Sequence, residues 1–109
     1  ENASLSQARI INDWFSAHFT GCKKPVILSG DMNCTPQGAA VRELERLWIR
    51  LSPLEPTFST EDPHECIDYI FAFSSGRKVK VKEARVIDNR TASDHFPVLV
   101  KFSSHSGKE

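Results

Sequence analysis

Three short runs hold the side chains best suited to chemistry: Gly30-Asp31-Met32-Asn33, Ile67-Asp68-Tyr69-Ile70 and Ser93-Asp94-His95. Together they supply acids, an amide and an imidazole, each beside an apolar stretch that reads as a β-strand. Carboxylate oxygens suit a hard divalent cation and an imidazole suits a phosphate oxygen, so the set fits a phosphate ester better than a packed core. Asp31 and Asn33 directly follow an apolar run, where their side chains either converge on a ligand or cap the turn into the next element. Asp68 lies within apolar strand residues, where a carboxylate is costly unless paired or hydrogen-bonded. Ser93-Asp94-His95 has the residue types of a hydrolytic triad, but sequence neighbours point apart and there is no GxSxG elbow, which excludes a serine hydrolase. The segment instead presents an oxygen ligand from Asp94 and an imidazole from His95, with Ser93 shaping the turn. Asp68 is then the natural orienting partner for the other ring nitrogen of His95. An EF-hand fails because Pro36 stands where that loop needs Gly and Arg42 where it needs Glu.

The elements that must position these groups follow from periodicity. Ser4 is a candidate cap for a helix in which Leu5, Ala8, Ile11, Trp14, Phe15 and His18 recur at spacings of three and four, ending at Gly21. Pro25 opens Val26-Ile27-Leu28, apolar on both sides, which predicts a central strand covered on both faces. Thr35-Pro36 predicts the start of a second helix with the stripe Val41, Leu44, Leu47 and Trp48. Residues 52–57 and 60–64 are turn-rich and read as surface loop. Cys66 to Phe73 predicts a buried strand, and after the turn Ser74-Ser75-Gly76 the alternation of Val79 and Val81 with Lys78, Lys80 and Lys82 predicts a half-exposed peripheral strand to Val86 or Ile87. A polar loop from Asp88 to Phe96 leads into a last strand from Val98 to Phe102, and residues 103–109 are expected to fray. The order of elements predicts an α/β or α+β layer with loops gathered at the strand ends.

Composition narrows the classes. With 109 residues, 39% apolar and 26% charged, the chain predicts one globular domain, residues 1–109, without internal repeat. Fourteen basic residues balance fourteen acidic ones, so no overall field draws the chain to nucleic acid or an anionic membrane. No apolar run approaches the roughly 18 residues that span a bilayer, and the first residues lack the basic and apolar regions of a signal peptide. Cys22, Cys34 and Cys66 have neither an even count nor CxxC spacing and are expected to be buried free thiols.

The runs Ser29-Gly30-Asp31-Met32-Asn33, Cys66-Ile67-Asp68-Tyr69-Ile70 and Ser93-Asp94-His95-Phe96-Pro97-Val98 resemble, in order and spacing, the C-terminal motifs of the endonuclease/exonuclease/phosphatase family. The resemblance extends from Leu5 to Phe102. It implies half of a four-layer αββα sandwich, one mixed β-sheet with helices on its outer face, and hydrolysis of phosphate mono- or diesters with Mg²⁺ or Mn²⁺. Carried over by position, Asp31 orients or deprotonates the attacking water and is a candidate metal ligand, and Asn33 holds the phosphate or metal. Asp68 pairs with His95, His95 binds the phosphoryl oxygens, and Asp94 ligates the metal. Thr57-Phe58 either lines the substrate pocket or anchors a loop, and Arg90 either reaches a phosphate or is an exposed loop residue.

The family's N-terminal half, which carries an early strand Asn, a metal-binding Glu and a catalytic His, has no counterpart here. Glu43, Glu45, Glu55 and Glu83 are poor substitutes, lying on a helix, a loop or the lysine-bearing strand. The expectation is therefore a fragment with little turnover by itself, whose exposed apolar sheet face pairs with the missing half or with a second copy of the chain. Neutral charge disfavours a duplex DNA substrate, although Lys78, Lys80, Lys82 and Arg85 keep nucleic acid open. The alternative to an enzyme is a non-catalytic interaction domain of the same fold.

Overall fold

The computed structural model describes residues 2–19, 21, 23–73 and 77–106; Cys22, the predicted turn at 74–76 and residues 107–109 lie outside the described residues. The elements run α1 (Asn2–Phe19), β1 (Ile27–Asp31), α2 (Ala39–Leu44), β2 (Trp48–Arg50), β3 (Asp68–Phe73), β4 (Arg77–Val86) and β5 (Val98–Ser106). They build an α+β layer with two helices on one face of a three-stranded sheet ordered β1-β3-β2, beside a β4-β5 hairpin. Every described strand pair is antiparallel, where a single mixed sheet is expected. Isolated bridges outside the strands pair Phe58 with Glu65, ahead of β3, and with His95, ahead of β5.

The helix-side core collects the expected apolar positions. Ala8 and Phe15 of α1 pack with Val41 and Leu44 of α2 against Trp48, Tyr69 and Phe71 of the sheet. Trp14 instead turns outward, 54% exposed, and stacks on His18 with ring centroids 4.4 Å apart. Asn12 takes a place on the inner face, tying three elements: its amide donates to the Glu43 carbonyl at 2.7 Å and its oxygen accepts the Trp48 indole N–H at 3.0 Å. The Asn12 amide also reaches the Glu43 carboxylate, which holds that carboxyl below its usual range.

Five details depart from expectation. Helix α1 starts at Asn2 rather than at a Ser4 cap. Helix α2 starts after Gly38 rather than at Pro36, because Thr35 accepts the Gly38 amide at 2.8 Å and closes a turn with Pro36 at its second position, which suits proline as well as a helix start does. The stripe ending in Trp48 is cut by a tight turn at residues 45–47, and Trp48 opens β2, keeping a buried side chain with a strand backbone. Finally β1 is an edge strand, not a central one. Its apolar residues face both ways because Leu28 packs on the helices, whereas Ile27 lies on the open face of the sheet, 42% exposed. Strand β5 runs to Ser106, so residues 103–106 are strand rather than tail. Residue Lys82 is skipped in the β4–β5 register, a bulge between Val81 and Glu83.

Tyr69 connects this core to the motif-bearing strand ends. Its buried hydroxyl lies 2.7 Å from the Cys34 carbonyl and 2.9 Å from the Cys66 carbonyl, sharing its single proton between the turn after β1 and the approach to β3. Burial first, then the neighbouring thiols, push the phenol far above its usual range, so it stays a donor at any ordinary pH. Tyr69→Phe leaves those carbonyls without that donor and is expected to cost about 1–3 kcal/mol, read as a lower urea midpoint at constant slope.

Candidate active site

The site forms where β1 ends and β3 begins. Register places Asp31 opposite Asp68, and alternation puts both on the open face with Ile27, Ser29, Ile70 and Ala72. Like charges facing across an antiparallel pair repel. His95 resolves the conflict: its Nδ1 lies 2.7 Å from Asp68 Oδ2 and its Nε2 lies 3.8 Å from Asp31 Oδ2 and 3.9 Å from Asp94 Oδ1. A carboxylate only accepts, so Nδ1 carries the proton and donates to Asp68, leaving Nε2 toward the other two acids.

Local structure explains how each group arrives. Gly30 adopts φ +152°, strained for any side chain, and a β-carbon there would meet nothing within 4 Å; conformation rather than space favours glycine just before Asp31. Asp31 then serves both readings of an Asx residue at once. Its Oδ1 accepts the Asn33 amide at 2.8 Å, closing the turn, while Oδ2 faces the imidazole. Asn33 sits in the left-handed region at φ 48°, and its side chain is not part of the depression that the other groups line. In the third run Ser93 Oγ accepts the His95 amide at 3.0 Å and donates to Asp94 Oδ1 at 3.4 Å.

The side chains grade from sheltered to open: Asp68 is 17% exposed, His95 29%, Asp31 38% and Asp94 75%. Asp31, Asp68 and His95 border an open depression of about 290 Å³ with Ser29, Ile70, Phe96 and Val98, and Asp94 lies outside its lining. The hydrogen bond that His95 donates to Asp68 raises the His95 pKa above its usual value, partial burial opposes it, and the charges of Asp68, Asp31 and Asp94 add to it. A raised pKa means that the imidazolium's contribution to stability is complete below about pH 6.5 and is lost as pH rises through the folded value. Asp68→Asn is expected to bring the His95 titration back toward about 6.5, followed by imidazole NMR shifts in metal-free buffer.

The donor set also bears on metal. Atoms of Asp31, Asp68 and His95 lie within 4.8 Å of one another. Asp68 and His95 Nδ1 satisfy each other at 2.7 Å, which leaves no room for an ion between them. Asp31, which borders the depression, is the member of this group left to meet an ion, and a carboxylate completed by water suits a hard divalent cation.

Two residues weighed in the sequence have structural tasks. Arg90 donates to the Thr60 carbonyl and to Asp88, and lies over the Phe96 ring at 5.5 Å, so it braces its loop. Thr57 is fully buried and does not line the depression. Phe58, its ring centroid 4.8 Å from that of His95, walls the imidazole on one side.

The acids and the imidazole lie on the open face of a helix-backed antiparallel sheet whose fold is shared with solved structures of the endonuclease/exonuclease/phosphatase fold. The fold is similar to that of a mannosyl-6-phosphatase from Bacteroides thetaiotaomicron VPI-5482, with TM-score 0.79 and 23% identity over 94% of this chain and 46% of that one. It is also similar to an endonuclease/exonuclease/phosphatase family protein from Bacteroides thetaiotaomicron, with TM-score 0.77 and 23% identity over the same shares, 94% and 46%. The chain thus spans less than half the length of these structures, consistent with the C-terminal half that the motifs imply. No family model matches the sequence, and no curated protein matches it significantly.

Proposed function

We propose that these residues are the C-terminal share of a metal-dependent phosphoesterase site that hydrolyses phosphate mono- or diesters with water. The observation that carries this reading is the Asp68–His95 bond at 2.7 Å, which leaves Nε2 facing Asp31 and Asp94 at 3.8 and 3.9 Å. With Nδ1 engaged, His95 offers its Nε2 proton to a non-bridging phosphoryl oxygen and stabilises the charge that builds there. Asp31 accepts a proton from the attacking water, its other oxygen being held by the Asn33 amide. Asp31 and Asp94 would hold Mg²⁺ or Mn²⁺, which when bound lowers the pKa of its water and acts as a Lewis acid. In this scheme Asn33 contacts the substrate from the turn after β1, outside the depression that this chain itself forms.

Ile27 and Ile49 flank Ala72 in register across the open face, 42% and 43% exposed. That apolar row needs a cover, and the second sheet of the sandwich is the occupant that the matched structures favour, since they extend over about twice the length of this chain. The remaining metal ligands would come from it, so the 109 residues alone are expected to turn over little or nothing.

The test is hydrolysis of p-nitrophenyl phosphate and bis(p-nitrophenyl) phosphate by the intact protein with Mg²⁺, with Mn²⁺ and with EDTA. Turnover that EDTA abolishes and metal restores is the expected result. Turnover indifferent to EDTA contradicts the metal assignment, and none on any phosphate ester favours the interaction-domain alternative.

A further inference from the structure

Asp68 and Phe96, the neighbour of His95, are tied to one residue outside the Asp68–His95 pair. Thr57 has 0% exposure although it lies in a turn-rich loop. Its hydroxyl oxygen accepts the amides of Ile67 and Asp68, each at 3.2 Å. Its carbonyl accepts the Phe96 amide at 2.8 Å, and its own amide donates to the Glu65 carbonyl at 2.8 Å. One buried residue therefore holds the first residue of β3 on one side and the neighbour of His95 on the other. The grip continues beyond it: Phe58 bridges to His95, and Thr60 donates its amide to the Asp94 carbonyl at 3.0 Å and its hydroxyl to the Ser93 carbonyl at 3.1 Å.

We infer that Thr57 is a positioning residue, whose hydroxyl sets the main chain of Asp68 and whose carbonyl sets that of Phe96, so that carboxylate and imidazole meet at hydrogen-bonding distance. The two side chains come from segments joined mainly through this loop, since β3 and β5 make little contact of their own. A displacement of about 1 Å between them would turn a 2.7 Å bond into no bond. A merely space-filling role would need the volume of threonine but not its oxygen. Valine at 57 matches the volume and leaves the Ile67 and Asp68 amides without their acceptor, whereas serine keeps the acceptor and gives up the methyl.

The kinetic side of this inference rests on the phosphoesterase reading, while the geometric side does not. Thr57→Val and Thr57→Ser in the intact protein separate the two through kcat and KM, and through the imidazole ¹⁵N spectrum, which reports the bond at Nδ1. Thr57→Val is expected to lose the Nδ1 signature and about 10–100-fold in kcat with KM nearly unchanged. Thr57→Ser is expected to keep the signature and stay within about twofold of the parent kcat. A Thr57→Val protein with an unaltered spectrum and rate overturns the inference, and so does a Thr57→Ser protein that falls as far. If Thr57→Val does not fold, Thr57→Ser decides alone, a tenfold loss overturning the hydroxyl's role and retention supporting it. Loss of the Nδ1 signature in Thr57→Val of a protein that hydrolyses no phosphate ester supports the positioning role and overturns only the phosphoesterase reading.

Discussion

His95→Ala is expected to lower kcat of the intact protein by about 10²–10³-fold, the cost of removing one preorganised donor to a developing oxyanion. The loss belongs to kcat rather than KM, because the Nε2 proton is most valuable where charge is gathering on the phosphoryl oxygens. The fold should survive. The ring is 29% exposed at the edge of an open depression, so water can replace it beside Asp68. Some destabilisation is expected, because Asp68 is only 17% exposed and loses its partner. Steady-state kinetics at saturating metal, beside a thermal melt, separate the two effects; a kcat within about threefold of the parent removes His95 from the chemistry.

Asp31→Asn is expected to cost about 10²–10⁴-fold in kcat, the range of a general base, and it is the cleaner substitution. The amide oxygen of asparagine still accepts the Asn33 N–H, so the turn at the end of β1 keeps its closing bond. What disappears is the negative charge 3.8 Å from His95 Nε2 and one oxygen suited to a cation. The variant should therefore melt like the parent while losing turnover and needing more Mg²⁺ for half-maximal rate. A parent-like rate with an unchanged Mg²⁺ requirement would reduce Asp31 to a turn cap.

The pairing at the centre of these expectations is legible in the sequence, for a physical reason. Asp68 sits among Ile67, Tyr69 and Ile70, and an acid in such company has to find a donor. His95 was the candidate at hand, and the two meet at 2.7 Å. Asp31 was legible only as an ambiguity between cap and ligand, which the structure dissolves by giving one oxygen to each. The predicted helices and the strands beside the three runs also appear, since their periodic apolar faces reflect the core they fill.

What the sequence did not disclose depends on long-range partners. Trp48 fits the helical stripe of Val41 and Leu44 by spacing, and only a three-residue turn shows that it belongs to β2. The run Val26-Ile27-Leu28 looks central because both its faces are apolar, yet β1 is an edge with one face on the helices and the other open. Thr57 carries no local signal for its task, because the amides that donate to it lie 10 and 11 residues away at Ile67 and Asp68 and farther still at Phe96.

The central claim is that Asp68 and His95 act as one unit, and a double-mutant cycle measures that directly. kcat/KM is determined for the intact parent, Asp68→Asn, His95→Ala and the double variant under saturating Mg²⁺. If Asp68 works only through His95, the double variant loses no more than His95→Ala alone, a coupling of about 1–3 kcal/mol. Losses that simply add would mean that the 2.7 Å bond between the two residues has no part in the chemistry.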